Sequence, residues 1–242
     1  MMPEDVFLSI IVPAYNEEEN VSNTLSEMSK YLKEKDFDYE VIVIDDGSSD
    51  RTVQKAGEFA NDFKNFKIIE STPNRGKGHV LKKAMLQAGG KFVMFMDADS
   101  SVSIKELESF LPLLEGDFHV YIASRRIPGA KVSVPFKREI LGKIYLLLAK
   151  MFLGINVSDV NCGFKVFKRE AAKGIFSRQV MDDWSFDAED LFLAAKFGYK
   201  IKEIPVEWVY KSTSKVRPLR DGVNSFLSLV RIRLSEFKGN YR

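Results

Sequence analysis

Two aspartates separated by one alanine, Asp97-Ala98-Asp99, follow the uncharged run FVMFM. Carboxylates at the end of a buried-type strand cost free energy unless something neutralises them. A hard divalent cation that fills its remaining positions with phosphate oxygens does so naturally. Alternation along an extended chain turns both side chains the same way, so both can approach one ion or its waters. An Asx-type turn leading into the next helix would also explain the pattern; the apolar strand before it favours the ion.

Two further segments carry chemistry. In Asp45-Asp46-Gly47-Ser48-Ser49-Asp50, Ser49 or Asp50 can cap a helix starting near Arg51. That leaves Asp45 and Asp46 at the end of VIVI, where a carboxylate can accept hydrogen bonds from a base or a ribose. Asn74-Arg75-Gly76-Lys77-Gly78 puts two glycines and two cations at a helix N-terminus. Free N–H groups, the helix dipole, Arg75 and Lys77 all favour phosphate there. Neither the P-loop pattern nor a three-glycine dinucleotide fingerprint is present. His79 beside this loop reads as a packed histidine.

These residues need a scaffold. FLSIIV (7–12), VIVI (41–44), FKII (66–69), FVMFM (92–96) and VYIA (120–123) are short apolar runs, and amphipathic segments lie between them near 18–33, 50–63, 76–88 and 103–114. Runs too apolar for a half-wet sheet, alternating with helices, predict a mainly parallel α/β sheet covered on both faces. Ligands of such sheets bind beyond the strands' carboxyl ends. Those ends read PAYNEEEN, DDGSSD, STPNRGKG, DADSS and SRR, all polar and rich in carboxylates, glycines and cations. Beyond residue 126 the alternation stops around a long helical run, resuming with a strand after 161, a helix over 186–197 and the strand KIKEIPVEWVY.

Composition bounds the rest. The 242 residues are 45% hydrophobic and 29% charged, which excludes collagen, coiled coil and wholesale disorder. The single cysteine, Cys162, allows no internal disulfide and no cysteine zinc site, and two histidines allow no His-rich one, so a reducing compartment is expected. The opening MMPED leads straight to a β-type run without a cleavable signal pattern. Residues 1–50 hold 13 acidic and 3 basic side chains, whereas 210–242 hold 8 basic and 2 acidic. A basic tail faces something anionic, a membrane surface or nucleic acid, or is simply solvated. ILGKIYLLLAKMFLGI (140–155) is too short and too charged to span a bilayer. Ile140, Ile144, Leu147, Leu148, Met151 and Ile155 recur at helical spacing, a stripe that covers the protein's own core or lies in a membrane interface; core packing is the expectation. Residues 226–237 are a second amphipathic candidate.

The set PAYNE, DDGS, NRGKG, DAD and SR resembles the inverting family 2 glycosyltransferases of GT-A fold. Asp159-Val-Asn-Cys-Gly-Phe-Lys, Trp184-Ser-Phe-Asp187-Ala-Glu189 and Ser214-Lys215-Val resemble the dolichyl-phosphate glucosyltransferase branch, close to the dolichol-phosphate mannose synthases. The likeness runs from about residue 7 to 240. It implies that Pro13, Tyr15, Glu17 and Asp45 hold the nucleoside. Asp97 and Asp99 would hold Mg²⁺ or Mn²⁺ on the diphosphate, Arg125 would meet phosphates, and Lys215 would close over the diphosphate. Ser101 stands where mannose synthases carry a further glutamine ligand, and Val209 where they carry an arginine. Both tilt the donor from GDP-mannose towards UDP-glucose.

The implied reaction is an in-line transfer of a hexose to a polyisoprenyl phosphate at the cytoplasmic membrane face, with no nucleic-acid partner. A phosphate acceptor is already anionic at pH 7. It needs cations such as Arg125 and Arg126 rather than a base. A glycan hydroxyl acceptor, the alternative, needs a general base, for which Asp187 and Glu189 are candidates unless they merely complement their helix N-terminus. A sugar nucleotidyltransferase lacks its Gly-rich loop after strand one, and a non-catalytic binder would not need the whole set. Residues 1–125 are expected to form the nucleotide-sugar half and 126–209 the acceptor half. Residues 210–242 would be a basic amphipathic extension. Oligomeric state is not legible.

Overall fold

The computed structural model describes residues 6–133, 136–209 and 218–242. Lys215 and the Ser214-Lys215-Val motif lie outside the described residues. The five apolar runs are strands β1 (Leu8–Ala14), β2 (Tyr39–Asp45), β3 (Phe66–Glu70), β4 (Phe92–Met96) and β5 (Val120–Ser124). Later come β6 (Lys131–Val132), β7 (Phe164–Lys168), β8 (Ile201–Pro205) and β9 (Glu207–Trp208). One seven-stranded sheet has the order β3-β2-β1-β4-β7-β5-β8, and β6 pairs with β9 in a small second sheet. Every pair in the large sheet is parallel except those of β7, which runs antiparallel between β4 and β5. Strands from before and after residue 126 thus share one sheet.

The alternating side chains of each strand divide between two cores. Leu8, Ile10 and Val12 pack with α1 (Val21–Leu32) on one face. Ile11, Ile42 and Ile44 pack on the other with α3 (Lys77–Gln87), α5 (Arg169–Phe176) and α6 (Phe186–Lys196). α2 (Thr52–Gly57) is a short helix after β2. Residues 103–114 form 3-10 turns, Ile104–Ser109 and Leu111–Leu113, rather than the expected amphipathic helix. Pro112 has no N–H to donate and its ring would collide with the carbonyl four residues back in an α-helix.

The long helix is α4 (Phe136–Leu153), packed along α7 (Pro218–Phe237). Its expected core stripe is split: Leu148 packs on the core and Ile155, just beyond the helix, is buried, but the other four residues face outwards. Ile140, Ile144, Leu147 and Met151 are 41%, 50%, 59% and 69% exposed, whereas Ala149 and Leu153 are buried and Tyr145, Leu148 and Phe152 lean on the core. On α7, Leu227, Leu234 and Phe237 are exposed as well. Among the described residues no helix is long and apolar enough to cross a membrane.

Candidate active site

The polar loops after β1, β2, β3 and β4 meet at the carboxyl edge of the sheet. Pro13 lies within β1 and Tyr15 is half exposed just beyond it. The turn is pinned to the loop after β2. Asn16, at φ 52°, donates its N–H to Ser48 Oγ (2.9 Å) and accepts from Ser49 N–H through its Oδ1 (2.9 Å). Glu17 N–H donates to Thr52 Oγ1 (2.8 Å), while Glu17 Oε2 accepts from Asn20 Nδ2 (2.7 Å). Asp45 is buried at the tip of β2. Its Oδ2 accepts from the N–H groups of Gly47 and Ser48, both at 2.9 Å, and its Oδ1 is buried with no hydrogen-bond partner. A buried acceptor left unpaired costs about 1–3 kcal/mol. An N–H donor of a base fits that vacancy in the hydrogen-bond count.

Asp46 does something else. Its two oxygens accept the backbone N–H groups of Arg75 (2.9 Å) and Gly76 (2.8 Å), and Asn74 Nδ2 donates to its carbonyl (3.0 Å). Two of the N–H groups of the expected phosphate cradle at Asn74–Gly78 are therefore already taken. His79 N–H, at the start of α3, donates to the carbonyl of Asp182 (3.1 Å). A Cβ on Gly76 would come within 3.1 Å of Asp182 C, and one on Gly78 within 2.9 Å of Phe186 Cβ. These glycines let the segment 181–183 seat against the loop, and Asp46 holds the loop rather than a ligand. Arg75 reaches Asp182 (3.4 Å) instead of open space.

Lys77 carries the loop's second cation into the site. Its ammonium is ion-paired to Asp97 and only 11% of the side chain is exposed. Burial works against this charge, but Asp97, Asp187 and Asp99 more than offset it and the Lys77 pKa is raised. Asp97 N–H donates to Gly163 O (3.1 Å), and its carboxylate lies flat against Gly163 Cα, where a Cβ would approach both oxygens to within 2.6 Å. Ala98 is buried and its carbonyl accepts from Thr24 Oγ1 (2.6 Å). Asp99 Oδ1 accepts from Ser101 N–H (2.8 Å); burial, and then the charge of Asp97, raises the Asp99 pKa. Among the described residues no three acidic, histidine or cysteine side chains converge as a ready metal cage. Two neighbouring hard carboxylates, Asp97 and Asp99, nonetheless suit Mg²⁺ or Mn²⁺, which commonly take one or two protein carboxylates plus substrate oxygens.

Three expected roles change. Arg125, at the end of β5, is gripped by buried Asp159: Nε to Oδ2 at 2.7 Å, Nη2 to Oδ1 at 2.9 Å, and its own N–H to Oδ2 at 3.0 Å. A bidentate fork spent on a buried carboxylate is a structural pair, so Arg125 holds the β5 end rather than standing ready for phosphate. Burial opposes the guanidinium charge, but the Asp159 hydrogen bonds prevail and raise its pKa. Glu189 is fully buried and accepts from Val180 N–H (2.9 Å), Met181 N–H (2.8 Å) and Tyr241 OH (2.5 Å). It fastens the 180–181 segment and the chain's last residues and is no base for an acceptor. Asp187, 4% exposed, is ion-paired to Lys165, which is fully buried and also donates to Val160 O (2.9 Å). Burial raises the Asp187 pKa despite the opposing pull of Lys165 and Lys77.

Sequence reasoning gave no role to Lys165, Asp159, Gly163, Trp184 or Asp190. Lys165 had a signal: a cation flanked by apolar residues in the interior of the strand FKVFK needs a buried counter-charge. Asp190, fully buried with both oxygens unpartnered, has a pKa raised well above the usual carboxylate range by burial.

The glycosyl transferase family 2 model matches residues 9–176. Dolichyl-phosphate beta-glucosyltransferase of Dictyostelium discoideum is 31% identical over 253 residues, covering 99% of this chain and 77% of that one. The Homo sapiens protein of the same name is 31% identical over 251 residues, covering 97% and 77%. Glucosyl-3-phosphoglycerate synthase from Mycobacterium tuberculosis, solved with Mn²⁺, UDP and phosphoglyceric acid, superposes with a TM-score of 0.70 at 20% identity, covering 95% of this chain and 78% of that one. That likeness establishes the GT-A fold, and the sequence matches establish the family: the chain belongs to glycosyl transferase family 2, among relatives named dolichyl-phosphate beta-glucosyltransferase.

Proposed function

We propose that the protein transfers glucose from UDP-glucose to a polyisoprenyl phosphate such as dolichyl phosphate. The observation that carries the choice of acceptor is the state of the two carboxylates a hydroxyl acceptor would need. Glu189 is consumed by three donors, and Asp187 is paired to a buried lysine. An acceptor that arrives anionic needs neither of them. The relatives' names and the UDP complexes of the fold neighbours point the same way.

In this reading Asp45 Oδ1 accepts from the base, and Pro13, Tyr15 and Glu17 line the nucleoside side. Asp97 and Asp99 would hold Mg²⁺ or Mn²⁺, which stabilises negative charge on the departing diphosphate. Lys77 fixes Asp97 in place by an ion pair, and Lys165 does the same for Asp187. Arg126, lying against Gly142 of α4, is the cation at the β5 end nearest the exposed helix stripe. That stripe, with Leu234 and Phe237 of α7 and the exposed cations Lys143 and Arg231, suits the surface of an anionic leaflet, where the lipid acceptor resides. The cytoplasmic face is the side this reading assigns, in keeping with the free, buried Cys162.

The test is radiolabelled transfer to a short polyisoprenyl phosphate from UDP-glucose and from GDP-mannose, with Mg²⁺ or Mn²⁺ and with chelator. Metal-dependent labelling from UDP-glucose, lost in Asp99→Ala, is the expected result. Donor hydrolysis without a lipid product overturns the acceptor, and labelling from GDP-mannose alone overturns the donor.

A further inference from the structure

Trp184 is 72% exposed, yet the segment that bears it is among the most firmly held near the site. On one side Met181 N–H is bound by Glu189 and Asp182 O by His79 N–H. On the other, Ser185 N–H donates to Asp183 Oδ1 (2.9 Å) and Ser185 Oγ meets Ser228 Oγ of α7 (2.5 Å). A large apolar ring fixed in water by an ordered backbone loses side-chain freedom and gains no burial of its own, so its surface is available to something else.

Its position says what. The Lys77 ammonium lies 5.1 Å from the indole centroid, and the same ammonium is bound to Asp97. The ring is thus linked through one residue to Asp97, which in the proposed function faces the diphosphate of the donor. We propose that Trp184 is the platform against which the donor's hexose packs, and that it contributes to the preference for glucose. The proposal rests on the donor assigned above. A pyranose offers a C–H face to an aromatic ring and hydroxyls to polar groups at its rim. Trp184 provides the aromatic face, and Asp183 and Lys77 lie beside it. A bilayer interior would have to desolvate those charges, whereas a sugar hydrogen-bonds to them. Glucopyranose carries its ring hydroxyls equatorially and so keeps an uninterrupted C–H face; an axial hydroxyl breaks it.

Calorimetric titration of UDP-glucose and of UDP into the full chain, with Mn²⁺, separates the sugar from the nucleotide. Trp184→Ala should weaken UDP-glucose about tenfold, the scale of one aromatic contact, and leave UDP within twofold. Trp184→Phe, which keeps a ring, should restore most of the loss. An equal loss for both ligands, or no loss for either, overturns the proposal. So does unchanged UDP-glucose affinity accompanied by release of Trp184→Ala from anionic phospholipid vesicles, which makes the indole a membrane anchor. Wild-type protein that binds neither ligand sinks the donor assignment and this proposal with it. Wild-type binding with an indifferent variant sinks the proposal alone.

Discussion

Replacing one hydrogen atom should disable the site while leaving the fold standing. Gly163 carries no φ requirement, and its conformation would accept alanine. What excludes a side chain is Asp97, whose two carboxylate oxygens would both lie within 2.6 Å of the new Cβ, against an ordinary contact of 3.4 Å or more. The carboxylate must then move by at least about 0.8 Å, the difference between those two distances. It has little freedom to do so, because Asp97 N–H is tied to the Gly163 carbonyl (3.1 Å) and Lys77 is bound to the same carboxylate. A misplacement near 1 Å at a positioning group costs on the order of 100-fold in rate, about 2.7 kcal/mol of barrier. Overpacking costs about 1–3 kcal/mol of stability, less here because the carboxylate borders solvent. Gly163→Ala is therefore expected to fold, by circular dichroism and denaturant titration. Its kcat/KM for glucosyl transfer should fall about 100-fold, and Mn²⁺ should bind more weakly. A folded Gly163→Ala protein with turnover and Mn²⁺ affinity within threefold of wild type would refute the claim that Asp97 is seated on Gly163.

Three further outcomes are expected. Tyr241→Phe removes a donor from buried Glu189 and should lower unfolding free energy by about 1.5–3 kcal/mol in urea, with activity per folded molecule unchanged. Arg125→Leu strands Asp159 as a buried charge and should cost about 3–5 kcal/mol, most of it recovered when Asp159→Leu is added; a variant that melts like wild type would show the pair to be idle. Asp190 has a raised folded-state pKa, so its share of stability is present below the unfolded carboxylate value and lost as pH rises towards the folded one. Asp190→Asn should match the pH trend of wild type near pH 3–4 and gain on it above, by up to about 1.4 kcal/mol per pH unit, in denaturant titrations across pH.

What was legible in the sequence is the part of the structure that is local. Five apolar runs became five strands within two residues of their expected ends, and the polar segments behind them did converge. Long-range partners were not legible. The N–H groups of Arg75 and Gly76, and of His79 just beyond the loop, look free in sequence because their acceptors, Asp46 and the Asp182 carbonyl, lie about 30 and 100 residues away. Arg125 looks like a phosphate ligand until Asp159, 34 residues on, closes its fork. One miss was avoidable. Asp187 and Glu189 are two residues apart on a helix, about 200° around its axis, so only one of them could ever face the ligand side. Asp187 and Asp190, three apart, share a face, which is why both feel Lys165.

The helical stripe of α4 teaches the complementary point. Periodicity fixed Ile140, Ile144, Leu147 and Met151 on one face but carried no sign for which way that face points. The sign came from competition: Tyr145, Ala149 and Phe152 also recur at helical spacing and took the core, together with Leu148 from the edge of the expected stripe.

The electrostatics of the assembled site follow from the same long-range contacts. By formal charge the site sets three carboxylates, Asp97, Asp99 and Asp187, against two ammonium groups, Lys77 and Lys165. A single excess negative formal charge would attract a divalent cation, and that cation would leave the site positive by one, facing the diphosphate of the proposed donor. Without Lys77 the carboxylates would hold the ion more tightly but present no positive charge to the diphosphate. The tight seat of Gly76 and Gly78 against residues 181–183 thus brings Lys77 to Asp97 and the Trp184 segment to Lys77 in one movement. In the proposed reading a single loop sets both the charge under the diphosphate and the surface beside the sugar, which is why the glycines of NRGKG matter.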